Sequence, residues 1–400
     1  MPKKTIQNIF RSYEPYLRES AQPLKNRKAI DSIIRCRTGE LGTSYFACED
    51  AHDIIERHHS CRHRSCSLCA NKQQHQWVEK QKARLLNTAH FHVVFTLPHE
   101  YQALWLYNER EFASLLFKAS HDVLMTLMGD PTHHGVEPGL VVALHTWGRQ
   151  LTLHPHTHCL VTAGGLNKTG EWQDTGEYLL PIKLVKQLYR GKLQSLIKAA
   201  YEAKRLQLPA GMSEPEFLSL YRRAYKKEWS VRIEERYEHG KGVVLYLSRY
   251  FRGGPLKPSQ ITDVTAQAIR FRYLDHRDKR TKYLALSPQE WMRRLLWHVP
   301  PEGLHTVRHY GLYAGCAHKK RAPLQAVFGT LEKITLAVNG QLENMVLSCK
   351  ACGQPMDLIF RQWRRTRKAF SLYKEIVAPG GFVQQDDQAD IANGLRLNSS

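Results

Sequence analysis

Three runs of apolar and β-branched residues in the middle of the chain carry the strongest structural pattern. They are FHVVFTLP (91–98), VEPGLVVALHTW (136–147) and HPHTHCLVTAGGL (154–166), and turn-forming residues bound each of them, which is typical of sheet strands. The short connection GRQLTL between the second and third runs predicts a β-hairpin. Residues 181–236 space their apolar positions at helical intervals, and we expect helices there.

Shorter elements follow the helical region. AIRFRYL and TKYLAL alternate like strands, and QEWMRRLLWHV has helical spacing. The chain begins with a polar segment rich in His and Cys and ends with a polar tail. These shifts predict an N-terminal module (1–90), a middle region with strands and helices (91–260), and a basic C-terminal domain with a flexible tail (261–400).

The charge balance points to a polyanionic partner. Lys and Arg number 58 against 37 Asp and Glu, a net charge of +21. Neutralising phosphates releases condensed counterions, so this surplus favours nucleic acid over the alternative of a basic solubility surface. The chain has no run of eighteen apolar residues, and its start lacks the apolar core of a secretory signal, so we expect no membrane partner.

Histidines cluster around the predicted hairpin. Side chains alternate along a strand, so His154, His156 and His158 share one face. Folding the hairpin about Gln150–Leu151 pairs residues whose numbers sum to 301, which puts His145 opposite His156 on that face. Imidazoles suit first-row metals, and three of them leave ligand positions open for a substrate oxygen. We therefore predict a metal site of His145, His156 and His158, with His154 orienting a neighbour; a solvated polar strand face is the alternative.

A tyrosine pair follows in LYLSRYF. Tyr246 and Tyr250 are four residues apart, which places them on one face if the segment is helical. A phenol beside a metal and a basic residue can attack phosphorus and remain as a covalent phosphotyrosine. Arg249 and Arg252 could hold the phosphoryl oxygens. Aromatic pairs at this spacing are more often packing, so the interpretation depends on the neighbouring histidine motif.

The nine cysteines are bunched in CxxC spacings, a pattern of reduced thiolates that hold metal. Near the N-terminus, Cys66-x2-Cys69 has zinc-knuckle spacing and Cys48-x3-His52 supplies a second pair, with Cys61 as a fifth candidate. We predict one structural Zn²⁺ among these five, with one of them spare. The nearby Arg62, Arg64 and Lys72 form a basic surface suited to binding DNA.

A second cysteine pair lies near the C-terminus. Cys349-x2-Cys352 is half of a zinc site, and Cys316 with His318 could complete it. The spacing leaves open whether a second zinc is bound. Cys36 and Cys159 are interpreted as ordinary core or surface cysteines.

HPHTHCLV followed by YLSRY resembles the HUH endonucleases, specifically the two-tyrosine transposases of rolling-circle insertion sequences (the insertion sequence 91 family). FHVVFTLP, LHTWGRQL, FRYLDHRDKRTKYLAL and HTVRHYGLYA also look like blocks of that family, in the family's order. The resemblance implies an α+β protein whose HUH catalytic domain (91–260) has a central antiparallel sheet. In that domain, histidines on a central strand face a tyrosine helix. One departure is Thr157, which stands where the family usually has a bulky apolar residue.

By this resemblance His156 and His158 are the HUH pair that holds Mg²⁺ or Mn²⁺, and Tyr246 and Tyr250 are the nucleophiles. The third ligand varies among HUH enzymes; His145 is our choice, and a Gln or Glu elsewhere is the alternative. The implied reaction nicks single-stranded DNA at transposon ends, leaves a 5′-phosphotyrosine and a free 3′-OH, and then transfers the strand without a nucleotide cofactor.

Other functions remain open from the sequence. A replication initiator or relaxase-type nickase would share the fold without transposing. A non-catalytic zinc-containing protein that binds nucleic acid would use the charge and the cysteines alone. The resemblance also implies a bacterial cytoplasmic protein associated with the nucleoid.

Overall fold

The apolar runs in the middle of the chain become neighbouring strands of one antiparallel sheet. The structure is a computed structural model, and it describes residues 5–238, 242–243, 254–275, 277–332, 347–364 and 372–376. Its helices, apart from short 3₁₀ turns, are α1 (Ile6–Ser12), α2 (Glu14–Glu19), α3 (Leu24–Arg35), α4 (Ser67–Lys82), α5 (Gln102–Tyr107), α6 (Glu109–Gly129), α7 (Ile182–Glu202), α8 (Glu214–Lys226), α9 (Pro288–Trp297) and α10 (His318–Phe328).

The strands belong to three antiparallel sheets. They are β1 (Thr43–Ala47), β2 (Ile54–His58), β3 (His90–Thr96), β4 (Glu137–Trp147), β5 (Leu153–Leu166), β6 (Trp172–Asp174), β7 (Val231–Tyr237), β8 (Ile261–Val264), β9 (Ile269–Leu274), β10 (Thr281–Leu286), β11 (Val307–Gly311), β12 (Asp357–Arg364) and β13 (Leu372–Ile376).

The largest sheet has the strand order β11–β4–β5–β3–β7, and β6 pairs with the end of β5. The predicted hairpin is β4–β5, and its register is the predicted one, with His145 opposite His156. The turn closes through a hydrogen bond of 2.8 Å from the Gly148 N–H to the Thr152 carbonyl. Leu151 adopts a left-handed backbone conformation there, with a φ of 58°. The sequence pattern therefore predicted both the strands and their alignment.

The two faces of this sheet have different coverings. One face packs against α6 and α7 and holds the main core; Phe95, Val142 and Val161 on the strands are completely buried there. The other face carries a smaller apolar cluster around Val141, Ala143 and Leu160. Because side chains alternate along a strand, this second face is also the one on which the hairpin histidines lie.

The prediction of helices throughout 181–236 is correct for α7 and α8 and wrong for the last part. Residues 231–237 form strand β7, which pairs with β3 at the edge of the sheet. Val231 and Ile233 alternate with Arg232 and Glu234, which is strand periodicity, and Val231 is buried in the main core. The helical pattern of the preceding residues obscured this change of period.

The shorter elements predicted after residue 260 are confirmed. AIRFRYL and TKYLAL contain β9 and β10, which pair in a sheet of order β10–β9–β8. QEWMRRLLWHV contains α9, and the Ser287 side chain caps it by accepting a hydrogen bond from the Glu290 N–H at 3.3 Å. This is the usual role of a serine at a helix N-terminus.

Contacts divide the chain into a large unit (Met1–Lys28 and Ala70–Val338) and a small unit (Ala29–Cys69 and Asn339–Ser400). The small unit contains the sheet β13–β12–β1–β2, in which β1 pairs with both β2 and β12. The C-terminal range therefore supplies strands to the sheet of the N-terminal cysteine-rich module. The predicted domain ranges 1–90, 91–260 and 261–400 stay a prediction.

The α+β fold class is confirmed, with a central antiparallel sheet and a cysteine-rich N-terminal module. Among the helices that the structure describes, none combines the length and the apolar character needed to cross a membrane.

Candidate active site and cysteine clusters

Three histidines meet at the turn end of the β4–β5 hairpin. One ligand nitrogen from each of His145, His156 and His158 lies within 4.8 Å of the other two. The Nε2 atoms of His156 and His158 are 3.0 Å apart, and the rings of His145 and His158 are 4.5 Å apart. All three side chains are buried. The strand register and the alternation of side chains are sufficient to bring them together.

Hydrogen bonds on the far side of two of these rings set their orientation. Nδ1 of His156 donates to the carbonyl of His154 at 2.6 Å, because a carbonyl can only accept, and this leaves the Nε2 lone pair of His156 free. Nδ1 of His158 is 2.8 Å from Nε2 of His92 on β3. When His158 donates this hydrogen bond, both Nε2 lone pairs face one another, an arrangement that a cation stabilises.

Burial favours the neutral form of His156, His158 and His92. It lowers the pKa of His156 and of His158 well below the usual value, and the neighbouring His145 lowers both further. Burial, again with a contribution from His145, lowers the pKa of His92 to about 3. A neutral ring is the form of histidine that binds a metal ion, so His156 and His158 are in their ligand state at neutral pH.

The donor set fits a divalent ion. Two adjacent ligands at about 2.1 Å from an octahedral ion lie about 3.0 Å apart, which is the separation of 3.0 Å between the two Nε2 atoms. Three neutral nitrogens leave the charge of the ion uncompensated and several positions open for oxygen ligands. The site is therefore suited to an ion that must also bind a phosphate.

His154 has a different position from the other three. Its side chain is exposed, its ring is 5.1 Å from that of His156, and its backbone carbonyl accepts the His156 hydrogen bond. The residue thus orients a neighbour, as the sequence suggested, and it does so through the main chain.

Thr157, between the two central histidines, points to the opposite face of the sheet. It is completely buried, and its hydroxyl lies 2.7 Å from that of Ser120 on α6. Ser120 donates to the Leu116 carbonyl at 2.8 Å, so Thr157 is the donor in the bond between the two hydroxyls. A polar residue is tolerated at this position because its hydroxyl has a buried partner.

Sequence reasoning missed His92. The strand HFHVVFT places His90 and His92 on one face by alternation, but the neighbour of β3 in the sheet cannot be read from that strand alone. His92 contacts His158, whereas His90 bonds to the Thr88 carbonyl and to the Tyr313 hydroxyl at 2.7 Å. The register of β3 against β5 distinguishes the two roles, because His92 lies nearer along the strand to His158 than His90 does.

The predicted nucleophiles Tyr246 and Tyr250 and the predicted phosphate-binding Arg249 and Arg252 lie outside the described residues. The structure describes the two helical residues Gly242 and Val243 just before them. Val243 is completely buried in the apolar cluster on the histidine face of the large sheet.

Four cysteines of the small unit form one cluster: Cys36, Cys61, Cys66 and Cys69. Sγ of Cys69 is 3.5 Å from that of Cys36 and 3.6 Å from that of Cys61. Thiolates around one tetrahedral Zn²⁺ are about 3.8 Å apart, so the cluster fits zinc. Hydrogen bonds with Cys61 and Cys66 lower the pKa of Cys36 to about 7. The interpretation of Cys36 as an ordinary cysteine is wrong, because α3 brings it to the others.

The second cluster contains Cys48, His52, Cys349 and Cys352. The sequence grouped Cys48 and His52 with Cys66 and Cys69, and the structure instead brings them to the C-terminal pair. Strand β1, which pairs with β12, ends at Ala47 just before Cys48, and this explains the grouping.

The predicted partners of the C-terminal pair are not in this cluster. Cys316 is exposed, and His318 is the first residue of α10; both belong to the large unit. The backbone N–H groups of Cys352 and Ala351 donate to the Cys349 sulfur and lower the pKa of that thiol.

The basic residues predicted to bind DNA are at the surface. Arg62 and Arg64 are exposed in the loop that carries Cys61 and Cys66, and Arg62 has a left-handed φ of 53°. Lys72 is exposed on α4.

Comparisons with known proteins identify the class of protein to which this chain belongs. Residues 139–321 match a family model described as a putative transposase, and residues 8–97 match one described as a transposase zinc-binding domain. The first range includes the three hairpin histidines His145, His156 and His158, and the second includes the four-cysteine cluster. The protein is therefore of the transposase class, with a zinc-binding domain, and the match and the cluster together support structural Zn²⁺.

Two curated relatives specify the family. The chain is 34% identical over 315 residues to the putative transposase y4qJ of Sinorhizobium fredii, covering 76% of this chain and 79% of the relative. It is 28% identical over 305 residues to the transposase for insertion sequence element IS801 of Pseudomonas savastanoi pv. phaseolicola, covering 72% of this chain and 70% of the relative. The chain belongs to the insertion sequence 91 family of transposases.

Proposed function

We propose that this transposase nicks and rejoins single-stranded DNA at the ends of an insertion sequence through a 5′-phosphotyrosine intermediate. The observation that carries the proposal is the buried triad of His145, His156 and His158, with its ligand nitrogens within 4.8 Å of one another. Triads of neutral imidazoles with open ligand positions are suited to phosphodiester chemistry. Membership of a transposase family provides DNA as the substrate.

The triad would hold Mg²⁺ or Mn²⁺. When bound, the ion supplies Lewis-acid polarisation of the scissile phosphate. The chain's own residues keep the site in order: the carbonyl of His154 and the ring of His92 hold His156 and His158 with Nε2 toward the common centre.

Tyr246 or Tyr250 is the proposed nucleophile. The phenol oxygen attacks phosphorus, the bond from phosphorus to the 3′ oxygen breaks, and the phenol proton ends, through solvent, on the released 3′-OH. A 3′-OH of another strand reverses this step and releases the phenol. The phosphodiester energy stays in the covalent link, so no nucleotide cofactor is needed.

Val243 is the described residue that comes just before these tyrosines in the sequence. It is buried on the sheet face that carries the histidines. The segment that follows it in the sequence contains both tyrosines, and we propose that Arg249 and Arg252 of the same segment hold the phosphoryl oxygens.

DNA binding is assigned to exposed basic residues and to the zinc-binding domain. Arg62 and Arg64 in the cysteine loop and Lys72 on α4 are proposed to bind the phosphate backbone. The zinc ligands of this domain are proposed to be Cys36, Cys61, Cys66 and Cys69, whose burial and spacing fit one tetrahedral ion.

A denaturing gel with labelled single-stranded DNA from an element end tests the proposal. The wild-type protein is expected to form a covalent adduct with Mn²⁺ and none with EDTA. Tyr246→Phe combined with Tyr250→Phe removes the adduct, and so does His156→Ala combined with His158→Ala. The matched control is Tyr310→Phe, which keeps the adduct. An adduct that persists in the double tyrosine variant contradicts the assignment of the nucleophiles.

A strand-transfer assay with paired element ends separates the proposal from a replication initiator or relaxase. Transfer of one end to a second strand is expected here. Nicking without any transfer between paired ends indicates a nickase, and DNA binding without any adduct indicates a non-catalytic protein.

A further inference from the structure

The small unit contains a second group of metal-ligand side chains, and half of it lies far outside the matched zinc-binding domain. That domain ends at residue 97, whereas the group joins Cys48 and His52 to Cys349 and Cys352. We propose that these four residues bind a second structural Zn²⁺, which fixes the C-terminal strand β12 to the sheet of the N-terminal zinc-binding domain. The proposal is independent of the nicking chemistry.

The geometry of the N-terminal half fits a zinc ligand pair. Sγ of Cys48 and Nδ1 of His52 are 3.7 Å apart, and a sulfur and a nitrogen on one tetrahedral zinc are about 3.6 Å apart. The turn between them closes through the Ala51 N–H and the Cys48 carbonyl at 2.9 Å, with Ala51 in a left-handed conformation (φ 52°). The pair is held in place by the backbone.

The C-terminal half has the form of a zinc knuckle. The Cys349 carbonyl accepts from the Gly353 N–H at 2.9 Å, and the Cys349 N–H donates to the Gln354 carbonyl at 2.8 Å. Gly353 has a φ of +73°, which a residue with a side chain rarely adopts. The backbone N–H groups of Cys352 and Ala351 point at the Cys349 sulfur, as they do around metal-bound thiolates.

The energetic reason for a metal here is the small apolar cluster. Among the residues that the structure describes, Cys48, Cys349 and Met356 are its buried members, with Phe46, Ile55 and Leu347 packed around them. Such a cluster is too small to order two chain segments by burial alone. The site closes a loop of 349 − 48 = 301 residues, so an ion bound there offsets a large loss of chain entropy.

The chain contains an internal control for a test on the wild-type protein. Cys352 and Cys316 are both exposed thiols, but only Cys352 belongs to the cluster. In the zinc-loaded protein, mass-mapped alkylation with a maleimide is expected to modify Cys316 fully and leave Cys352 unmodified. After a chelator removes zinc, both react. Reaction of Cys352 at the rate of Cys316 in the zinc-loaded protein overturns the proposal.

Zinc content gives a second, separate readout. Cys349→Ser combined with Cys352→Ser is expected to lose one zinc ion per chain relative to the wild type, and the remaining zinc is lost on adding Cys36→Ser with Cys69→Ser. Cys316→Ser combined with His318→Ala, the alternative set suggested by sequence spacing, keeps the wild-type content. An unchanged zinc content in the first variant contradicts the proposal, as does a loss in the control.

Discussion

At the scale of single residues, the hydrogen bond between His92 and His158 predicts how tightly the histidine triad binds a metal ion. His92→Phe removes a partner at 2.8 Å from Nδ1 of His158, and with it a contact that orients that ring. Loss of such a partner typically lowers metal affinity by about 10–100-fold. We expect a weakening of Mn²⁺ binding in that range, measured by titration calorimetry.

His154→Ala is the matched control, because the contribution of His154 is its backbone carbonyl. This variant is expected to bind Mn²⁺ as the wild type does. Equal affinity in His92→Phe and the wild type would show that His92 does not position the site.

The buried hydroxyl pair offers a second residue-scale prediction. Ser120→Ala removes the oxygen that accepts a hydrogen bond from the Thr157 hydroxyl, which is completely buried, and leaves the weaker acceptor of the Cys159 sulfur beside it. We expect a loss of about 1–3 kcal/mol in the free energy of unfolding, because the hydroxyl keeps its desolvation cost without its hydrogen bond. The measurement is urea denaturation of the zinc-loaded protein.

Adding Thr157→Val to Ser120→Ala removes the unpaired hydroxyl, so the double variant is expected to be more stable than Ser120→Ala alone. The result that contradicts this account is a double variant that is less stable than the single one.

The sequence predicted His145, His156 and His158 as one group because a hairpin has a single simple register. It could not predict His92, whose contact depends on the order of strands in the sheet. It likewise found the C-x2-C pairs but grouped them by proximity in the chain. The sets that the structure brings together depend on α3, which brings Cys36, and on β1 pairing with β12, which brings Cys48 to Cys349.

At the scale of elements, the junction of β11 and β4 depends on one glycine. Gly311 has a φ of +54°, and a Cβ there would lie 1.9 Å from the Pro138 carbonyl oxygen. Gly311→Ala is expected to destabilise the large unit by about 2 kcal/mol or more, since a left-handed alanine alone costs about 1–2 kcal/mol and the clash adds to it. Thermal unfolding measures the effect.

Gly315→Ala is the control for this prediction, because a Cβ at Gly315 has nothing within 4 Å and its φ is not in the left-handed region. It is expected to unfold at the wild-type temperature. A Gly311→Ala protein as stable as this control would contradict the close packing of β11 on β4.

The element that the sequence predicted wrongly is β7. Its strand-like alternation covers only residues 231–237 and directly follows two amphipathic helices. A stretch of sequence that includes both is dominated by the helical spacing, because the helices are longer than the strand. The partner that stabilises the strand is β3, which is well over a hundred residues earlier in the chain. Local pattern alone does not contain that information.

At the scale of the whole molecule, the net charge of +21 predicts salt-sensitive DNA binding. The logarithm of the association constant falls with the logarithm of the salt concentration, with a slope of about −0.7 for each phosphate of a single strand that the protein neutralises. For about four phosphates, the affinity falls about 50-fold between 50 and 200 mM salt. Fluorescence anisotropy with a labelled oligonucleotide measures this slope.

Arg62→Ala combined with Arg64→Ala is expected to reduce the magnitude of that slope by about 1.4, since two phosphate contacts are lost. The variant must keep the zinc content of the wild type, so that a smaller slope reports lost phosphate contacts and not an unfolded zinc-binding domain. An unchanged slope excludes the cysteine loop from the DNA interface.

The central claim is that Tyr246 or Tyr250 becomes covalently attached to DNA, and peptide mapping of the adduct tests it most directly. Trypsin cleaves after Lys241, Arg249 and Arg252, so Tyr246 and Tyr250 fall in separate peptides. After reaction with single-stranded DNA and Mn²⁺ and digestion of the DNA, mass spectrometry is expected to find a nucleotide on peptide 242–249 or 250–252, and on neither with EDTA. A nucleotide attached elsewhere, or cleaved DNA with no attached peptide, would contradict the account.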